Sequence, residues 1–173
     1  REIVADLPFV HRGLDGRDEA CNVYAAQFSK AGPPTIAAGG SGSNELRLFE
    51  RATLAPLAKL RLPRGVFGLD MSNDGNIVAV GAYKNDGYGS VDAGHVRIYQ
   101  WSGSTWEQMG SDLDGQSAYD NFGVSVDLSA DGHTLAVGAW KGDLTGRNAG
   151  ESSVYKWNGS DWTQHGQTLG GEK

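Results

Sequence analysis

Oxygen-bearing side chains are concentrated in one glycine-rich stretch of the chain, residues 84–94. Asp86, Ser90 and Asp92 alternate with other residues there and offer carboxylate and hydroxyl oxygens. Such oxygens are the ligands that Ca²⁺ prefers in proteins. The stretch therefore contains candidate calcium ligands, with a solvated loop as the alternative interpretation.

A second polar, glycine-rich stretch, residues 141–150, argues against calcium binding. It contributes Asp143 but places Arg147 in the equivalent region, where a positive charge would repel a cation. The two stretches together predict solvated loops without a cofactor, and calcium at Asp86, Asp92 and Asp143 stays as the alternative. Polar loops that project from a rigid scaffold commonly contact partners. The residues predicted to contact a partner protein are Asp86, Tyr88, Asp92, Asp143 and Arg147.

The histidines form no recognisable catalytic or metal-binding arrangement. They stand at positions 11, 95, 133 and 165. None has a second ligand at zinc spacing or a serine or cysteine nucleophile in a recognisable elbow. The sequence therefore predicts a protein without enzymatic activity. A catalytic pair of carboxylates drawn from distant parts of the chain stays open.

The overall composition argues against two classes of partner. The 173 residues carry a formal net charge of −6, and no stretch clusters Lys and Arg as phosphate binding requires. No apolar run approaches the roughly 18 residues of a membrane-spanning helix. We therefore expect neither nucleic-acid binding nor membrane insertion. The single cysteine, Cys21, has no partner for an internal disulfide, and the compartment stays open, with the cytoplasm favoured over the cell exterior.

One long unit occurs twice in the chain. Residues 69–82 align with residues 126–139, and both segments contain an Asp-Gly pair and end in Ala-Val-Gly-Ala. The match continues through the Tyr-x-Trp triplets at 99–101 and 155–157. A period of about 56 residues, rich in strands and turns, is typical of β-propeller blades. The sequence therefore predicts an all-β fold built from four-stranded antiparallel blades.

A shorter unit precedes the two long ones. Four runs of β-forming residues, separated by turn residues, predict its four strands. The predicted organisation is one continuous propeller domain with a lead-in strand and linker at 1–21. The blades follow at 22–64 (blade one), 65–121 (blade two) and 122–173 (blade three).

Blade one and the start of blade two, residues 20–82, resemble WD40 repeats. The likeness is carried by Phe28-Ser29, Ala38-Gly39 and Arg47-Leu48-Phe49-Glu50. Phe49-Glu50 stands where that family has Trp-Asp, so the hydrogen-bond relay of the family is not expected. The resemblance implies a propeller that meets partners through its loops.

Residues 66–173 resemble instead the FG-GAP repeats of integrin-type propellers. Phe122-Gly123 followed by Gly138-Ala139 carries this likeness, and blade two contains a looser copy that begins at Phe67-Gly68. The resemblance implies calcium in an Asp-rich loop between the two halves of the motif. The corresponding stretches, 72–75 and 129–132, are predicted instead to be tight turns in which Asp caps its own backbone.

The predicted strands carry apolar side chains on both faces. Val96 and Ile98 lie on one face of their strand, and Tyr99 and Trp101 lie on the other. A sheet of this kind is sandwiched between two neighbours. Trp101 and Trp106 flank a short turn, which predicts a cross-strand pair rather than a sugar-stacking platform.

Three blades do not close a ring, because propellers need four to eight. The end blades are therefore expected to expose apolar faces and to meet further blades or a second copy of the chain. The predicted function is a non-catalytic scaffold for protein–protein interaction or assembly. The alternative is an extracellular or surface propeller that binds carbohydrate or an adhesive partner, with calcium.

Overall fold

The computed structural model describes residues 10–12, 18–20, 23–31, 35–40, 44–62, 65–86 and 90–172. Within these ranges, every regular element is a β-strand. Cys21, Tyr88 and residues 2–9 of the predicted lead-in strand lie outside them. No helix among the described residues is long and apolar enough to span a membrane.

Three antiparallel sheets follow one another along the chain, each within one predicted blade. Blade one contains β3 (Val23–Phe28), β4 (Thr35–Gly40), β5 (Glu45–Glu50) and β6 (Pro56–Arg61). Blade two contains β7 (Gly68–Met71), β8 (Ile77–Ala82), β9 (His95–Trp101), β10 (Trp106–Gln108) and β11 (Leu113–Asp114). Blade three contains β12 (Phe122–Leu128), β13 (Thr134–Ala139), β14 (Glu151–Trp157), β15 (Trp162–Gln164) and β16 (Leu169–Gly170). A separate hairpin is formed by β1 (Val10–Arg12) and β2 (Asp18–Ala20).

The strands of each blade are paired in chain order. Blade one is the plain four-stranded sheet β3-β4-β5-β6, as predicted. In blade two the outer edge is split, because β10 and β11 both pair with β9. Blade three has the same arrangement, with β15 and β16 both on β14. Each long repeat is therefore one sheet with four strand positions, and its outermost position is shared by two short strands.

The three sheets stack face to face, and the two cores lie between them. Strand β8 is buried along its whole length. In β9, Val96 and Ile98 belong to the core shared with blade three, whereas Tyr99 belongs to the core shared with blade one. This confirms the two-faced pattern predicted from the sequence. Burial of one such aliphatic side chain stabilises the fold by about 1.5–3 kcal/mol, so the middle blade depends on both neighbours.

One carboxylate links the innermost strands of the three blades. Asp70 in β7 accepts a hydrogen bond from Gln27 Nε2 of blade one at 2.6 Å. Its other oxygen accepts one from the backbone N–H of Leu128 in blade three, also at 2.6 Å. Because Asp70 is buried, the two donors compensate the loss of its hydration.

The two Asp-Gly turns have the predicted structure. Asp74 Oδ1 accepts the backbone N–H of Asn76 at 3.0 Å, and Asp131 Oδ1 accepts that of His133 at 3.0 Å. The glycines that follow have φ values of 75° and 73°. Each carboxylate therefore caps its own turn.

These turns also contact one another between blades. The backbone N–H of Asn73 donates to the carbonyl of Ala130 at 2.9 Å, and the carbonyl of Asn73 accepts the N–H of Ala31. One edge of the stack is thus joined by backbone hydrogen bonds from blade one to blade three.

Cross-strand tryptophan pairs stabilise the outer hairpins of both long blades. Trp101 and Trp106 are directly opposite each other, with ring centroids 5.7 Å apart. Trp157 and Trp162 repeat the pair at 5.7 Å. The strand registers therefore support the prediction that these tryptophans form cross-strand pairs rather than a sugar-stacking platform.

The outward face of blade three differs from the apolar face that the sequence predicts. Along β13 and β14 its residues alternate with buried side chains and are small or polar apart from Val154, whereas Leu169, opposite Ser152, is a large apolar residue that is 66 % exposed. By repeat alignment, Thr134, Ala136, Ser152 and Val154 stand where Ile77, Ala79, Val96 and Ile98 form the buried face of blade two. The end of the stack is therefore less apolar than expected.

Candidate functional site

Three loop segments emerge at the same edge of blades two and three. Residues 83–94, of which 83–86 and 90–94 are described, join β8 to β9, and residues 140–150 join β13 to β14. Residues 115–121 connect β11 of blade two to β12 of blade three. We call these three segments the loop face. Backbone hydrogen bonds join them, from Tyr119 N to Val91 O at 2.9 Å and from Lys141 N to Asp120 O at 3.2 Å.

The described parts of the two long loops share two backbone features although their sequences differ. Asp92 and Asn148 both have a left-handed φ, of 50° and 54°. Asp86 Oδ1 accepts the backbone N–H of Asp92 at 3.1 Å, and Asp143 Oδ1 accepts that of Asn148. The two carboxylates thus hold equivalent positions and each closes its own loop.

Four of the five residues predicted from the sequence lie on the loop face in two groups, and Tyr88 lies outside the described residues. Asp86 and Asp92 meet in the blade-two loop through the bond above. Asp143 and Arg147 lie exposed in the blade-three loop. No three His, Cys, Asp or Glu side chains among the described residues converge as metal ligands would.

Sequence reasoning did not select the apolar residues that the loop face exposes. Tyr119 is 55 % exposed, Trp140 56 % and Leu144 57 %. Lys141 Nζ lies 4.7 Å from the centroid of the Trp140 ring, a cation–π contact. Large apolar residues inside otherwise polar loops were the available signal. Tyr and Trp are the residue types that most often dominate binding energy at protein interfaces.

A buried carboxyl group, that of Asp120, and a half-buried one, that of Glu151, lie near the blade-three loop. Burial raises the pKa of Asp120, the N–H of Ser117 opposes the rise, and the Asp143 carboxylate adds to it. Burial likewise raises the pKa of Glu151, and the charges of Asp120 and Asp143 add to it. Negative charge is therefore concentrated here, and a cationic group from a partner would relieve the repulsion.

A buried histidine contacts the side chain of a residue in the blade-two loop. His95 is 2 % exposed, and its Nδ1 contacts the side-chain amide of Asn85. Burial lowers the pKa of His95 to about 4; the charge of Arg97 adds to the drop, and that of Asp112 opposes it. His95 is therefore neutral at physiological pH and serves as a hydrogen-bonding group of the fold.

The chain contains sequence and structural signatures of one architecture. An FG-GAP repeat model matches residues 113–155, which confirms the predicted likeness of that region. The Cps50 (Swd1) β-propeller domain of Myceliophteria thermophila superimposes with a TM-score of 0.58 over 88 % of this chain, at 14 % identity. The three sheets are β-propeller blades. Repeats that resemble both WD40 and FG-GAP units thus stand side by side.

Two further solved structures agree on the fold. A functionally unknown protein from Desulfotomaculum acetoxidans has a TM-score of 0.59 and 11 % identity over 86 % of this chain. Sqt1 of Saccharomyces cerevisiae has a TM-score of 0.58 and 15 % identity over 86 %. This chain spans 41 %, 44 % and 35 % of the length of the Desulfotomaculum, Cps50 and Sqt1 structures. A search of curated proteins finds no sequence match.

Proposed function

We propose that this protein is a non-catalytic β-propeller scaffold that binds a partner protein through the loop face. The observation that carries the proposal is the exposure of Tyr119, Trp140 and Leu144 together on that edge. Exposed apolar side chains that are rimmed by polar residues are typical of protein-binding surfaces. Among the described residues, the polar rim is supplied by Asp86, Asp92, Asp143 and Arg147, and Tyr88 stays a prediction from the sequence.

The described residues of the loop face are already joined by hydrogen bonds before a partner docks. The loops are closed by the Asp86 and Asp143 carboxylates and are joined through the carbonyls of Val91 and Asp120. Loops that are ordered before binding lose less conformational entropy when a partner docks. The bonds among these described residues support a role as a contact surface that is partly formed in advance.

The charge of the site suggests the chemistry of the partner. The buried carboxyl of Asp120 and the half-buried one of Glu151 both sense the charge of exposed Asp143, and the whole chain carries a net charge of −6. A partner segment with an aromatic or aliphatic anchor beside Lys or Arg would match both features. We therefore propose a basic, partly apolar protein segment as the ligand.

The test compares capture of partner proteins by the full chain and by a double variant, Tyr119→Ser with Leu144→Ser. The matched control is Phe28→Ser with Leu57→Ser, which removes equally exposed apolar side chains from blade one. We expect the loop-face variant to lose proteins that the wild type and the control both retain from a lysate of expressing cells. Equal retention by both variants would contradict the proposed surface.

A second function keeps its support from the FG-GAP match at residues 113–155. In that alternative the protein is an adhesive or carbohydrate-binding surface propeller that uses calcium. If the protein is a calcium-independent scaffold, its thermal unfolding midpoint should be the same in excess CaCl₂ and in excess EDTA. A calcium-dependent rise in the midpoint, lost in Asp86→Asn or Asp143→Asn variants, would favour the alternative.

A further inference from the structure

Blades one and two leave a cavity between their outer strands. Its volume is about 280 Å³, and its walls include the side chains of Leu48, Leu57, Trp101 and Trp106. Leu57 is 54 % exposed and Trp101 is 36 % exposed, so the cavity opens at the surface. Ligand pockets in proteins begin at about 300 Å³. The cavity is therefore large enough for one apolar side chain.

The corresponding space between blades two and three is filled. By repeat alignment, Trp162 stands at the position of Trp106. The indole N–H of Trp162 donates to the carbonyl oxygen of Met109 at 2.9 Å, and both side chains belong to the core between these blades. The next residue, Gly110, lies against Trp162, because a Cβ on this glycine would be 3.0 Å from the indole ring. A Met-Gly segment of blade two thus covers the tryptophan of blade three.

Blade one has no such segment, because its outer strand is regular. In blade two, pairing with β9 is broken over residues 109–112, between β10 and β11, and the Met-Gly pair lies in this break. In blade one, β6 pairs with β5 without a break from Ala58 onward. Ala58 lies opposite Leu48, whereas the larger Met109 bonds through its N–H to the carbonyl of Ile98 at the equivalent position. The cavity therefore results from the different lengths of the two blades.

The same difference leaves Trp106 without an acceptor. Among the described residues, none accepts a hydrogen bond from its indole N–H. Trp106 is half-buried, whereas Trp162 is 6 % exposed. A half-buried donor without a protein partner favours a ligand that supplies an acceptor oxygen. An apolar side chain next to a free carbonyl oxygen satisfies both the cavity and the donor, as Met109 does for Trp162.

Charge is divided unevenly between the blades. Residues 22–64 contain six Lys or Arg and two Asp or Glu, whereas residues 65–173 contain six and fourteen. Strand β6, which contributes Leu57 to the cavity wall, also carries Lys59 and Arg61, with side chains 54 % and 87 % exposed. An acidic segment would therefore be attracted to the blade-one side of the cavity.

We propose that the cavity between blades one and two binds an extended, acidic segment of a partner protein through one methionine or leucine side chain. That side chain lies between Leu48 and Trp106, and a carbonyl oxygen of the segment accepts the indole N–H. Residues 107–112 have this chemistry, but they are held at the edge of blade two and cannot reach the cavity of their own chain. This inference goes beyond the loop-face proposal and concerns a different surface.

The test titrates the full chain into a fluorescently labelled peptide with the sequence of residues 107–112, Glu-Gln-Met-Gly-Ser-Asp, and follows the anisotropy. We expect saturable one-to-one binding. Trp106→Phe keeps an aromatic ring but removes the donor, so it should weaken binding by about fivefold. Ala58→Met introduces the side chain that blade two has at this position, and it should weaken binding by about tenfold or more.

Each protein variant has a matched control. Trp157→Phe removes an indole N–H from blade three, and Ala52→Met enlarges an exposed residue in the turn between β5 and β6. Both controls should bind like the wild type. In the peptide, Met109→Ser should weaken binding by about tenfold or more. Joint replacement of Glu107 by Gln and Asp112 by Asn should weaken it by about threefold or more.

Each outcome decides the proposal. The thermal unfolding midpoint of each variant shows whether the blades are intact. Absence of saturable binding to the wild type, or equal binding by Ala58→Met, by Trp106→Phe or by the serine peptide, would overturn the proposal. Equal binding of the uncharged peptide would overturn the acidic character of the partner. If N-acetylmethionine amide binds as tightly as the peptide, the cavity is a site for small apolar molecules and the proposal is wrong. The loop face takes no part in this test, so its failure is separate from failure of the loop-face proposal.

Discussion

Acid stability should depend on His95, and the structure gives the size of the effect. Burial lowers the pKa of this imidazole from 6.5 to about 4. The unfolded chain therefore binds a proton at His95 more readily than the folded chain does between these two values. The stabilising contribution is complete above pH 6.5 and is lost as the pH falls towards 4. Each tenfold difference in proton affinity is worth about 1.4 kcal/mol, which makes the full effect about 3 kcal/mol.

The measurement is urea unfolding, followed by tryptophan fluorescence at pH 7.5 and pH 5.0. Linkage at these pH values predicts that His95 alone removes about 2 kcal/mol from the free energy of unfolding at the lower pH. His95→Gln keeps a hydrogen-bonding group near Asn85 but cannot titrate. Between pH 7.5 and pH 5.0 its free energy of unfolding should therefore fall by about 2 kcal/mol less than that of the wild type. His133→Gln, at an exposed histidine, is the control and should behave like the wild type. If His95→Gln loses as much stability as the wild type, the argument from a buried neutral imidazole is wrong.

Three further predictions concern the contacts between blades, and each is checked by urea unfolding at pH 7.5. Gly81→Ala should destabilise the fold by about 3 kcal/mol or more, because its Cβ would overlap the backbone of blade three, whereas Gly138→Ala should cost less than about 1 kcal/mol. Asp70→Ala should cost about 2–3 kcal/mol by leaving a buried N–H of blade three without its acceptor, and Asp127→Ala, at the exposed equivalent, should be nearly neutral. Trp162→Phe should cost about 1 kcal/mol, since its indole N–H donates to a blade-two carbonyl at 2.9 Å. Equal effects within either matched pair, or a neutral Trp162→Phe, would contradict these contacts.

The sequence was sufficient for the blades because their strands depend on local patterns. Alternation in β9 predicted which side chains reach each core, and the spacing of Trp101 and Trp106 predicted their cross-strand pair. Both features follow from the period of a strand and the length of a turn. A repeat makes such patterns visible twice.

The candidate site was less accessible to sequence reasoning. The loops around Asp86 and Asp143 differ in sequence, yet each contains the same type of carboxylate-to-amide bond. The exposure of Tyr119 depends on how the segment between the blades crosses the loop of blade two. Such contacts join residues far apart in the chain and leave no periodic signal.

The backbone bonds that join the turns of adjacent blades have a consequence for how such a chain can evolve. Asn73 bonds to Ala31 on one side and to Ala130 on the other through main-chain groups alone. A joint that uses no side chain places no demand on residue identity, only on the shape of the turn. Blades of different ancestry can therefore be exchanged, duplicated or recombined while the stacking register is kept. A WD40-like unit beside FG-GAP-like units is an expected product of that modular freedom.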